Sequence, residues 1–456
     1  MQILIKSIFL LVLASLLLFS NIEAPSYIVN WKKSYNDTIS YISLSGNGQE
    51  LVVAWNNKTE VLNAFSETIF TYSFPSKLNI AKISNNTNYM VACISNACYL
   101  FKRGPTTYSL VKSVNFTSTV NDMDLSYDGS VIAIVTNDNK LHLLNSSGNY
   151  ITSPKVTSGT PIRLVISGNS KFILIGMANN KIGFYDNKGN LQWEKNLSAS
   201  VKDMDISYKG DFMALGTSDN KVYFLYYDGT GTIIWNKNVT GLPYVISIDD
   251  LSKYVVVGTL SNYLYLYDNL GNLKYTEIFL NPINSLKISS NGKYFAVLDN
   301  GGNLYYYDEN GSKLWTYRLS DLGKRLDLSY DGKIVIAFSQ DNKVFYLTNI
   351  GEATITQTMT KTYTLISNAT YTTYKNSTIT KTYTATTTSI SNVTYLFTVT
   401  ATRSITKTTT ENITYTTTVV QPLYENLTLV AVFVSIGVIF GIGLGYAISR
   451  LRRSYY

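Results

Sequence analysis

The sequence predicts an all-β fold because three observations agree over residues 40–340. A four-residue motif recurs eight times at spacings of 39 to 42 residues. Its first and third residues are apolar, its second is of any type, and its fourth is Ser in seven copies and Asp in one. Most copies hold four short strand-like runs separated by turn residues, and no helical periodicity competes with them. Four strands in about 40 residues are typical of a propeller blade. We therefore expect an eight-bladed β-propeller, with motif copies ending at Ser45, Ser84, Ser126, Ser167, Ser207, Asp249, Ser289 and Ser329.

The first two strands of each copy differ in their burial pattern. The first strand alternates apolar and polar residues, as in DMDIS at 203–207 and SLKIS at 285–289, which indicates one buried face. The second strand is aliphatic throughout, as in VIAIV at 131–135 and YVVVG at 254–258. Such a run fits a strand that is buried on both faces.

A two-residue hairpin turn is predicted between the second and third strands. The residue types there tolerate the positive φ that type I′ turns require, at Asp138-Asn139, Asn179-Asn180, Asp219-Asn220, Gly301-Gly302 and Asp341-Asn342. The third strand is rich in Tyr, and a second turn with Gly follows it. The fourth strand often carries a Trp, as at Trp193, Trp235 and Trp315.

The ends of the repeat region predict how the ring closes. The eighth copy lacks a fourth strand, since the composition changes soon after KVFYL at 343–347. The first copy is preceded by a spare strand with a Trp, YIVNWKKSY at 27–35. Pairing of these two strands would complete the eighth blade and remove the open sheet edges. The propeller is therefore assigned to residues 25–352.

The phrase xVYxxDxxGxxxWxxx, found at 181–196, 221–238 and 303–318, resembles the blades of quinoprotein-like propellers with PQQ-type repeats and, more loosely, those of WD40 propellers. The resemblance implies the architecture, whereas many members of this group are binding scaffolds without a cofactor. An active quinoprotein needs a calcium-binding carboxylate set, a catalytic Asp and, commonly, adjacent cysteines. The two cysteines of this chain are not adjacent. We therefore expect no cofactor, no metal site and no catalytic residues.

The first 24 residues have the pattern of a secretory signal peptide. Lys6 precedes the apolar run IFLLVLASLLLF at 8–19, and a small residue, Ala24, follows it. Residues 1–24 are therefore predicted to be a cleaved signal peptide. The alternative is an uncleaved N-terminal anchor.

A transmembrane helix is predicted at 426–449. Residues 427–449 are 23 residues without a charge, which is long enough to cross the lipid bilayer. RLRR follows, so the positive-inside rule makes 450–456 a cytoplasmic tail and places the propeller outside, as in a single-pass type I protein of the cell membrane. A GxxxGxxxG stripe would permit a homodimer, although such glycines are also ordinary in membrane helices; it consists of Gly437, Gly441 and Gly445.

Residues 353–425 are rich in Thr. Thr occupies every even position from 354 to 364, and this alternation favours an extended backbone. The segment lacks aliphatic runs that could build a core, so we expect an extended, glycosylated stalk. A flexible linker and a small β-domain are the alternatives. The sequence looks similar to cell-surface proteins of archaea, in which Thr-rich stalks precede a C-terminal anchor.

Asn-x-Ser/Thr sequons occur thirteen times. Their density, in a chain with only 15% charged residues, indicates a glycosylated surface. The last one, Asn426, abuts the predicted membrane and is expected to escape modification. The predicted N-glycosylation sites are Asn36, Asn57, Asn85, Asn115, Asn145, Asn196, Asn238, Asn310, Asn368, Asn376, Asn392 and Asn412.

The two cysteines are predicted to form a disulfide. Cys93 and Cys98 bracket a hairpin turn at Ser95-Asn96, which places them opposite each other on paired strands. The Cα atoms of such a pair lie about 4.5 Å apart, within the disulfide range. An oxidising exterior would keep the bond closed. Two free buried thiols are the alternative.

Charged residues recur at equivalent positions of the first strand and would form a mixed ring around a central channel. A ring of carboxylates can hold a cation. Hydrogen bonds to neighbouring turns, or ion pairs with the lysines, are the simpler expectation. The ring consists of Asp122, Asp124, Asp203, Asp205, Asp327, Lys82 and Lys287.

The third-strand tyrosines are either core residues or flat amphipathic faces for sugars or proteins, and core packing is the simpler expectation. They are Tyr263, Tyr265, Tyr267, Tyr305, Tyr306 and Tyr307.

His142 is the only histidine, which argues against catalysis built on His. We expect it to be an ordinary strand residue.

The formal charge of +8 is spread thinly, so nucleic-acid binding has little support.

The expected function is that of a non-enzymatic binding scaffold at the cell surface, for a cell-envelope protein or glycan, held in the bilayer by residues 427–449. The alternative is an extracellular enzyme, a hydrolase or a quinoprotein-type oxidoreductase, that uses the central funnel of the propeller.

Overall fold

The computed structural model describes residues 27–349 and four further segments, at 355–365, 379–389, 399–406 and 410–417. Residues 27–349 form eight four-stranded antiparallel sheets and contain no helix. The predicted eight-bladed β-propeller is therefore confirmed. The predicted signal peptide, transmembrane helix and tail lie outside the described residues, and among the described ones no helix has the length and hydrophobicity to span a membrane.

The blades follow the chain, and within blades 1 to 7 the strands run in order from the channel outwards. Blades 1 to 4 contain β2 Ile39–Leu44, β3 Glu50–Trp55, β4 Lys58–Asn63, β5 Thr68–Ser73; β6 Leu78–Ile83, β7 Tyr89–Ile94, β8 Ala97–Arg103, β9 Tyr108–Asn115; β10 Val120–Leu125, β11 Val131–Thr136, β12 Lys140–Asn145, β13 Lys155–Val156; and β14 Pro161–Ile166, β15 Phe172–Met177, β16 Lys181–Asp186, β17 Leu191–Asn196. Blades 5 to 7 contain β18 Val201–Ile206, β19 Phe212–Thr217, β20 Lys221–Tyr226, β21 Thr232–Asn238; β22 Pro243–Ile248, β23 Tyr254–Thr259, β24 Tyr263–Asp268, β25 Leu273–Ile278; and β26 Ile283–Ile288, β27 Tyr294–Asp299, β28 Asn303–Asp308, β29 Lys313–Arg318.

Blade 8 is built from both ends of the propeller. It contains β30 Gly323–Leu328, β31 Ile334–Ser339, β32 Lys343–Asn349 and, as its outermost strand, β1 Tyr27–Ser34. β1 pairs antiparallel with β32, so that Trp31 lies opposite Tyr346 and Lys32 opposite Phe345. The predicted closure is confirmed.

The recurring Trp of the fourth strand stacks on an aromatic residue of the third strand. Trp315 lies on Tyr306 with ring centroids 4.7 Å apart and planes at 4°, and Trp193 and Trp235 stack on phenylalanines in the same way. The turn glycine of the next blade then packs on the Trp: at Gly231, a Cβ would lie 2.5 Å from Trp193. The repeated phrase therefore encodes the contact between neighbouring blades.

The turns between second and third strands are not type I′ as predicted. Only the second residue of each predicted pair has a positive φ, as at Asn139 (62°) and Asn220 (62°). The Asn139 N–H donates to the Thr136 carbonyl at 3.1 Å. This is the geometry of a three-residue loop, a type I turn followed by one left-handed residue. Asn satisfies both turn types, which is why the sequence pattern did not separate them.

The Ser that ends each repeat motif fixes the turn after the first strand. Its Oγ accepts a hydrogen bond from the backbone N–H five residues later, as from Glu50 to Ser45 at 3.0 Å and from Ile334 to Ser329 at 2.9 Å. In blade 6 the Asp249 carboxylate accepts the same bond from Tyr254 at 2.7 Å. Ser and Asp are acceptors that favour such local turns, so the motif marks a turn and not a chemical site.

The described Thr-rich segments are β33 Ile355–Leu365, β34 Ile379–Ser389, β35 Val399–Thr406 and β36 Thr410–Thr417. Their backbones pair in the order β33-β34-β35-β36, with antiparallel neighbours. The rest of the segment lies outside the described residues. The choice between a stalk and a small β-domain therefore stays a prediction.

Candidate binding site at the funnel and rim of the propeller

The first strands of all eight blades surround a central cavity of about 1200 Å³. One face of the disc, the rim face, carries the turns between second and third strands and the connections between blades. The other, the floor face, carries the turns between first and second strands and between third and fourth strands. Each inner strand has six residues, numbered here as positions 1 to 6 from the rim face.

Tyr127 constricts the channel at the floor face. Its hydroxyl donates to Asp250 Oδ1 at 2.6 Å, although blades 3 and 6 are three steps apart in the ring, so the side chain crosses the channel. The Tyr208 ring packs against it, with centroids 5.5 Å apart. Gly168 leaves room for both rings, because a Cβ there would lie 2.4 Å from Tyr208. The cavity is therefore a funnel whose wider opening is on the rim face.

In every blade, the backbone N–H of position 6 donates a hydrogen bond to the side chain of a position 5 residue, either of the same blade or of the preceding one. In five blades the acceptor belongs to the preceding blade: Asp327 accepts from Leu44 at 2.9 Å, and Ser43 from Ile83 at 3.3 Å. The other three acceptors of this kind are Asp124 for Ile166, Asp205 for Ile248 and Ser247 for Ile288. These bonds join consecutive inner strands around the funnel.

Three blades follow a blade whose position 5 cannot accept a hydrogen bond. The position 5 residues of these preceding blades are Lys82, Val165 and Lys287. In each case the blade that follows carries an Asp at its own position 5. Each such Asp accepts from its own position 6 with Oδ1 and from the next blade with Oδ2. The own-blade bonds are Asp124 to Leu125 at 2.9 Å, Asp205 to Ile206 at 3.0 Å and Asp327 to Leu328 at 2.9 Å. The carboxylates thus satisfy backbone donors that the sheets leave unpaired.

The two carboxylates at position 3 are used in the same way. Asp122 Oδ2 accepts from Leu164 and Asp203 Oδ2 from Ile246, at 2.9 and 2.8 Å. Burial raises the pKa of Asp122 and raises the pKa of Asp203 to about 6, against the opposing effect of the N–H donors.

The ring lysines pair with these carboxylates. Lys82 Nζ lies 2.8 Å from Asp124, and Lys287 Nζ lies 3.3 Å from Asp205. Burial acts to lower the pKa of Lys82, but the Asp124, Tyr41 and Asp122 oxygens outweigh it and the pKa is raised. The expected ion pairs are present, whereas the expected bonds to neighbouring turns are bonds to the next inner strand. No cluster of three metal-ligating side chains occurs among the residues that the structure describes.

Two arginines, which sequence reasoning missed, project at position 3 on opposite walls, in blades 4 and 8. The Arg325 guanidinium lies 4.0 Å from the centre of the Tyr41 ring and donates from Nη2 to the Tyr41 hydroxyl at 2.8 Å. Arg163 donates from Nε to the Lys202 carbonyl at 3.1 Å. The signal was available, since an Arg stands where two other blades carry Asp.

Known proteins identify the fold but not a family. No protein-family model matches the chain, and no curated protein matches its sequence. The structure is similar to Chaetomium thermophilum Sqt1 bound to the N-terminus of the ribosomal protein L10, with TM-score 0.60 and 11% identity over 68% of this chain and 96% of that one. It is similar to the C-terminal WD40 domain of Sif2, with TM-score 0.60 and 13% identity over 71% and 99%. It is also similar to BamB from Moraxella catarrhalis, with TM-score 0.55 and 11% identity over 71% and 99%.

The fold is that of a WD40-like, eight-bladed propeller.

The candidate tyrosines of this WD40-like propeller are mostly core residues. Tyr306 and Tyr307 are fully buried, Tyr265 and Tyr267 are buried, and Tyr263 and Tyr305 are half-buried. The Tyr307 hydroxyl donates to Glu277 at 2.7 Å. The expectation of core packing is met.

His142 is a buried strand residue with two side-chain partners. Its ring nitrogens lie 3.1 Å from Thr136 Oγ1 and 3.2 Å from the Tyr150 hydroxyl. The ring packs on Phe116 with centroids 4.7 Å apart. Burial lowers the pKa of His142 to about 4. It stands where the fourth strand of blade 3 is reduced to two residues.

We expect His142 to make the propeller less stable as the pH falls from 6.5 to 4. In this window the unfolded chain protonates the imidazole and the folded chain does not, so the unfolded state binds more protons. A pKa difference of about 2.5 units corresponds to about 3 kcal/mol. In a His142→Gln variant, the free energy of unfolding, measured with urea at several pH values, should no longer contain this loss.

Asp203 provides the control of opposite sign. Its folded pKa of about 6 is above its ordinary value, so the folded state binds more protons between pH 4 and 6, and stability falls as the pH rises. An Asp203→Asn variant should therefore become more stable from pH 4 to 6, relative to wild type, and the His142→Gln variant less stable. Parallel pH profiles for the two variants would contradict the assignment.

The predicted disulfide is confirmed, because Cys93 and Cys98 are bonded across the hairpin with Cα atoms 4.1 Å apart.

The predicted glycosylation sites differ in accessibility. Asn57 donates from Nδ2 to the Phe74 carbonyl at 2.9 Å, and the Thr59 of its sequon is fully buried. Asn85 and Asn145 are half-buried. Five are exposed: Asn36, Asn115, Asn196, Asn238 and Asn310. Asn412 belongs to β36, and Asn368, Asn376, Asn392, Asn426 and the glycine stripe Gly437, Gly441 and Gly445 lie outside the described residues.

One sector of the rim face exposes leucines. Leu260, Leu280 and Leu322 are 39%, 90% and 37% exposed. They lie in the turn at 260–262 and in the connections at 279–282 and 319–322, which together we call the leucine sector. No sequon lies within it, whereas five sequons lie elsewhere on the rim face, at Asn36, Asn57, Asn115, Asn196 and Asn238.

Proposed function

We propose that the chain is a membrane-anchored scaffold outside the cell, whose propeller binds a protein partner of the envelope on its rim face. The observation that carries this proposal is the leucine sector. A leucine that is 90% exposed, with two more in neighbouring loops of the rim face, suits a surface that another protein covers. The rim-face sequons lie outside the three segments of this sector, and the nearest, Asn238, precedes the connection whose Leu242 carbonyl accepts from the Leu260 N–H.

A binding role, not an enzymatic one, is part of the proposal. The funnel carboxylates at positions 3 and 5 each accept at least one backbone N–H, and two of them pair with lysines. Groups held in this way serve the structure, and their loss would cost stability. Binding of a peptide is also what one structural neighbour does: that Sqt1 structure contains the N-terminus of a ribosomal protein.

The location is supported by the sequence and by the disulfide. The apolar run at 8–19 and the charge-free run at 427–449 fit a signal peptide and an anchor. A disulfide on a hairpin persists in an oxidising compartment.

The test is capture of the partner by full-length protein from solubilised envelopes, with identification by mass spectrometry. We expect the double variant Leu280→Asp, Leu322→Asp to lose the proteins that wild type retains, because two charges would be desolvated at the contact. The matched control is Leu270→Asp, since Leu270 is 74% exposed on the floor face of blade 6. Retention of the same proteins by the rim variant, or their loss by the control, would refute the proposal.

A further inference from the structure

We infer that the mouth of the funnel is a carboxylate-binding subsite, in which Arg325 and Arg163 receive an acidic side chain of the protein bound to the rim face. This inference rests on the proposed function and adds the chemistry of the partner. The bound segment would carry Asp or Glu beside apolar residues.

Charge is layered along the funnel. Among the residues at inner-strand positions 2 and 3 that line the funnel, three are cations, Arg163, Lys324 and Arg325, and two are carboxylates, Asp122 and Asp203, so the formal charge there is +1. Position 5, deeper in the funnel, carries two lysines and three carboxylates, Lys82, Lys287, Asp124, Asp205 and Asp327, which gives 2 − 3 = −1. An anionic group approaching from the rim face is therefore attracted to the mouth.

The mouth carboxylates are already engaged. Asp122 and Asp203 each accept a backbone N–H from the next blade, and among residues 27–349 neither forms an ion pair with an arginine. Burial raises the pKa of both carboxylates and Arg163, acting through space, lowers it in part, but neither Arg163 nor Arg325 has a carboxylate within 4 Å in this part of the chain.

Arg325 is held in place and retains an unused donor. The Tyr41 ring and hydroxyl fix one side of its guanidinium. Its Nε is shielded from solvent and has no hydrogen-bond partner within the described part of the chain. Nε is therefore out of reach of a ligand, whereas the guanidinium keeps further Nη donors, and a carboxylate would supply acceptors that match them.

The approach is from the rim face. Blades 4 and 8 are four steps apart in the ring, so Arg163 and Arg325 face each other across the mouth. Tyr127 and Asp250 cross the channel at the floor face. A side chain that enters between the arginines therefore comes from a partner on the rim face.

An acidic protein segment fits this surface better than an acidic sugar. Leu322, in the leucine sector, is three residues before Arg325, so the exposed apolar surface leads directly into the cationic mouth. Tyr244, which is 43% exposed, lines the mouth from blade 6. A peptide that combines apolar and acidic side chains uses both surfaces, whereas a sugar acid would leave the leucines in water.

The test uses full-length protein and two fluorescein-labelled peptides, Ser-Leu-Leu-Asp-Asp-Ser and Ser-Leu-Leu-Asn-Asn-Ser, with fluorescence anisotropy at low salt. We expect the Asp peptide to bind about tenfold tighter or more than the Asn peptide, and added salt to reduce this preference. Arg325→Gln should remove most of the preference. Lys293→Gln, which removes the same charge from an exposed turn on the floor face, should not.

A purely structural role of Arg325 predicts a different result. Arg325→Gln would then lower the melting temperature without changing the ratio of the two affinities. Equal affinity of wild type for both peptides, an equal effect of Lys293→Gln, or no binding of the Asp peptide at about 1 mM would overturn the inference. If both peptides bind equally, and the leucine-sector variant loses both, rim-face binding stands and only the carboxylate subsite is wrong. A preference for Asp that persists in the leucine-sector variant would support the subsite without the proposed partner surface.

Discussion

Replacing Asp205 by Ala is expected to lower the free energy of unfolding of the propeller by about 4 kcal/mol. The carboxylate accepts from the backbone N–H groups of Ile206 and Ile248, at 3.0 and 3.2 Å, and from Ser247 Oγ at 2.9 Å. It also pairs with Lys287. Removal of one partner from such a buried network typically costs 3–5 kcal/mol, because the remaining donors and the ammonium are left unpaired. Urea denaturation at pH 7 measures the change.

Two further variants separate the network from the loss of a charge. Asp228→Ala removes an exposed Asp of the same blade whose partners, Thr230 and Thr232, belong to its own turn, so the change should stay within about 0.5 kcal/mol. The double variant Asp205→Ala, Lys287→Ala should recover part of the loss, because no unpaired lysine then remains. Equal effects of Asp205→Ala and Asp228→Ala would show that the ring does not join the blades.

Replacing Glu60 by Ala is expected to destabilise the propeller by about 3 kcal/mol and to loosen β1. Glu60 is 6% exposed and accepts from Lys33 Nζ and from the Tyr35 hydroxyl, both at 2.8 Å. Both donors belong to the N-terminal segment that completes blade 8, so Glu60 fastens this segment to blade 1. The Trp31 indole N–H donates to the Ala64 carbonyl at 2.9 Å and helps in the same direction. Loss of a buried, paired carboxylate carries a cost of this size.

Hydrogen exchange locates this second effect. In Glu60→Ala the amides of β1 should exchange faster, while those of β18 to β20 in blade 5 should change less. The matched control is Glu67→Ala in the same blade, because Glu67 is exposed and its side chain bonds to Asn63 in its own turn. Uniform acceleration over all blades would mean that Glu60 acts on the whole ring and not on its closure.

The blade count and the closure could be predicted from the sequence because they depend on local patterns. The repeat spacing gives eight units, and Trp31 marks a fourth strand that is displaced to the other end of the region. Both follow from periodicity and composition alone. The ion pairs were predictable in part: Lys82 and Asp124 occupy one position in neighbouring repeats, whereas Lys287 pairs with Asp205 of a blade two steps away.

The partners of the ring carboxylates could not be predicted in the same way. The second acceptor oxygen of Asp124 reaches Ile166, which is 42 residues away, and such a contact depends on how one sheet is staggered against the next. Arg325 was overlooked because position 3 carries charges of both signs and no uniform pattern, and its position over Tyr41 appears only when blades 8 and 1 meet. Sequence patterns of one blade do not contain these contacts.

The position 5 hydrogen bonds also limit how such a ring can be rearranged. A blade with Lys or Val at position 5 must be followed by a blade with Asp at this position. A blade with Ser or Asp at position 5 can be followed by any of the others. Blades therefore cannot be exchanged freely. If the blade of Val165 stood directly before a blade with Ser at position 5, the backbone N–H of position 6 in the second blade would have no acceptor. The polar contacts between blades therefore depend on the order of the repeats. Duplication or shuffling during evolution would be tolerated more readily for two adjacent blades with compatible position 5 residues than for one blade at a time.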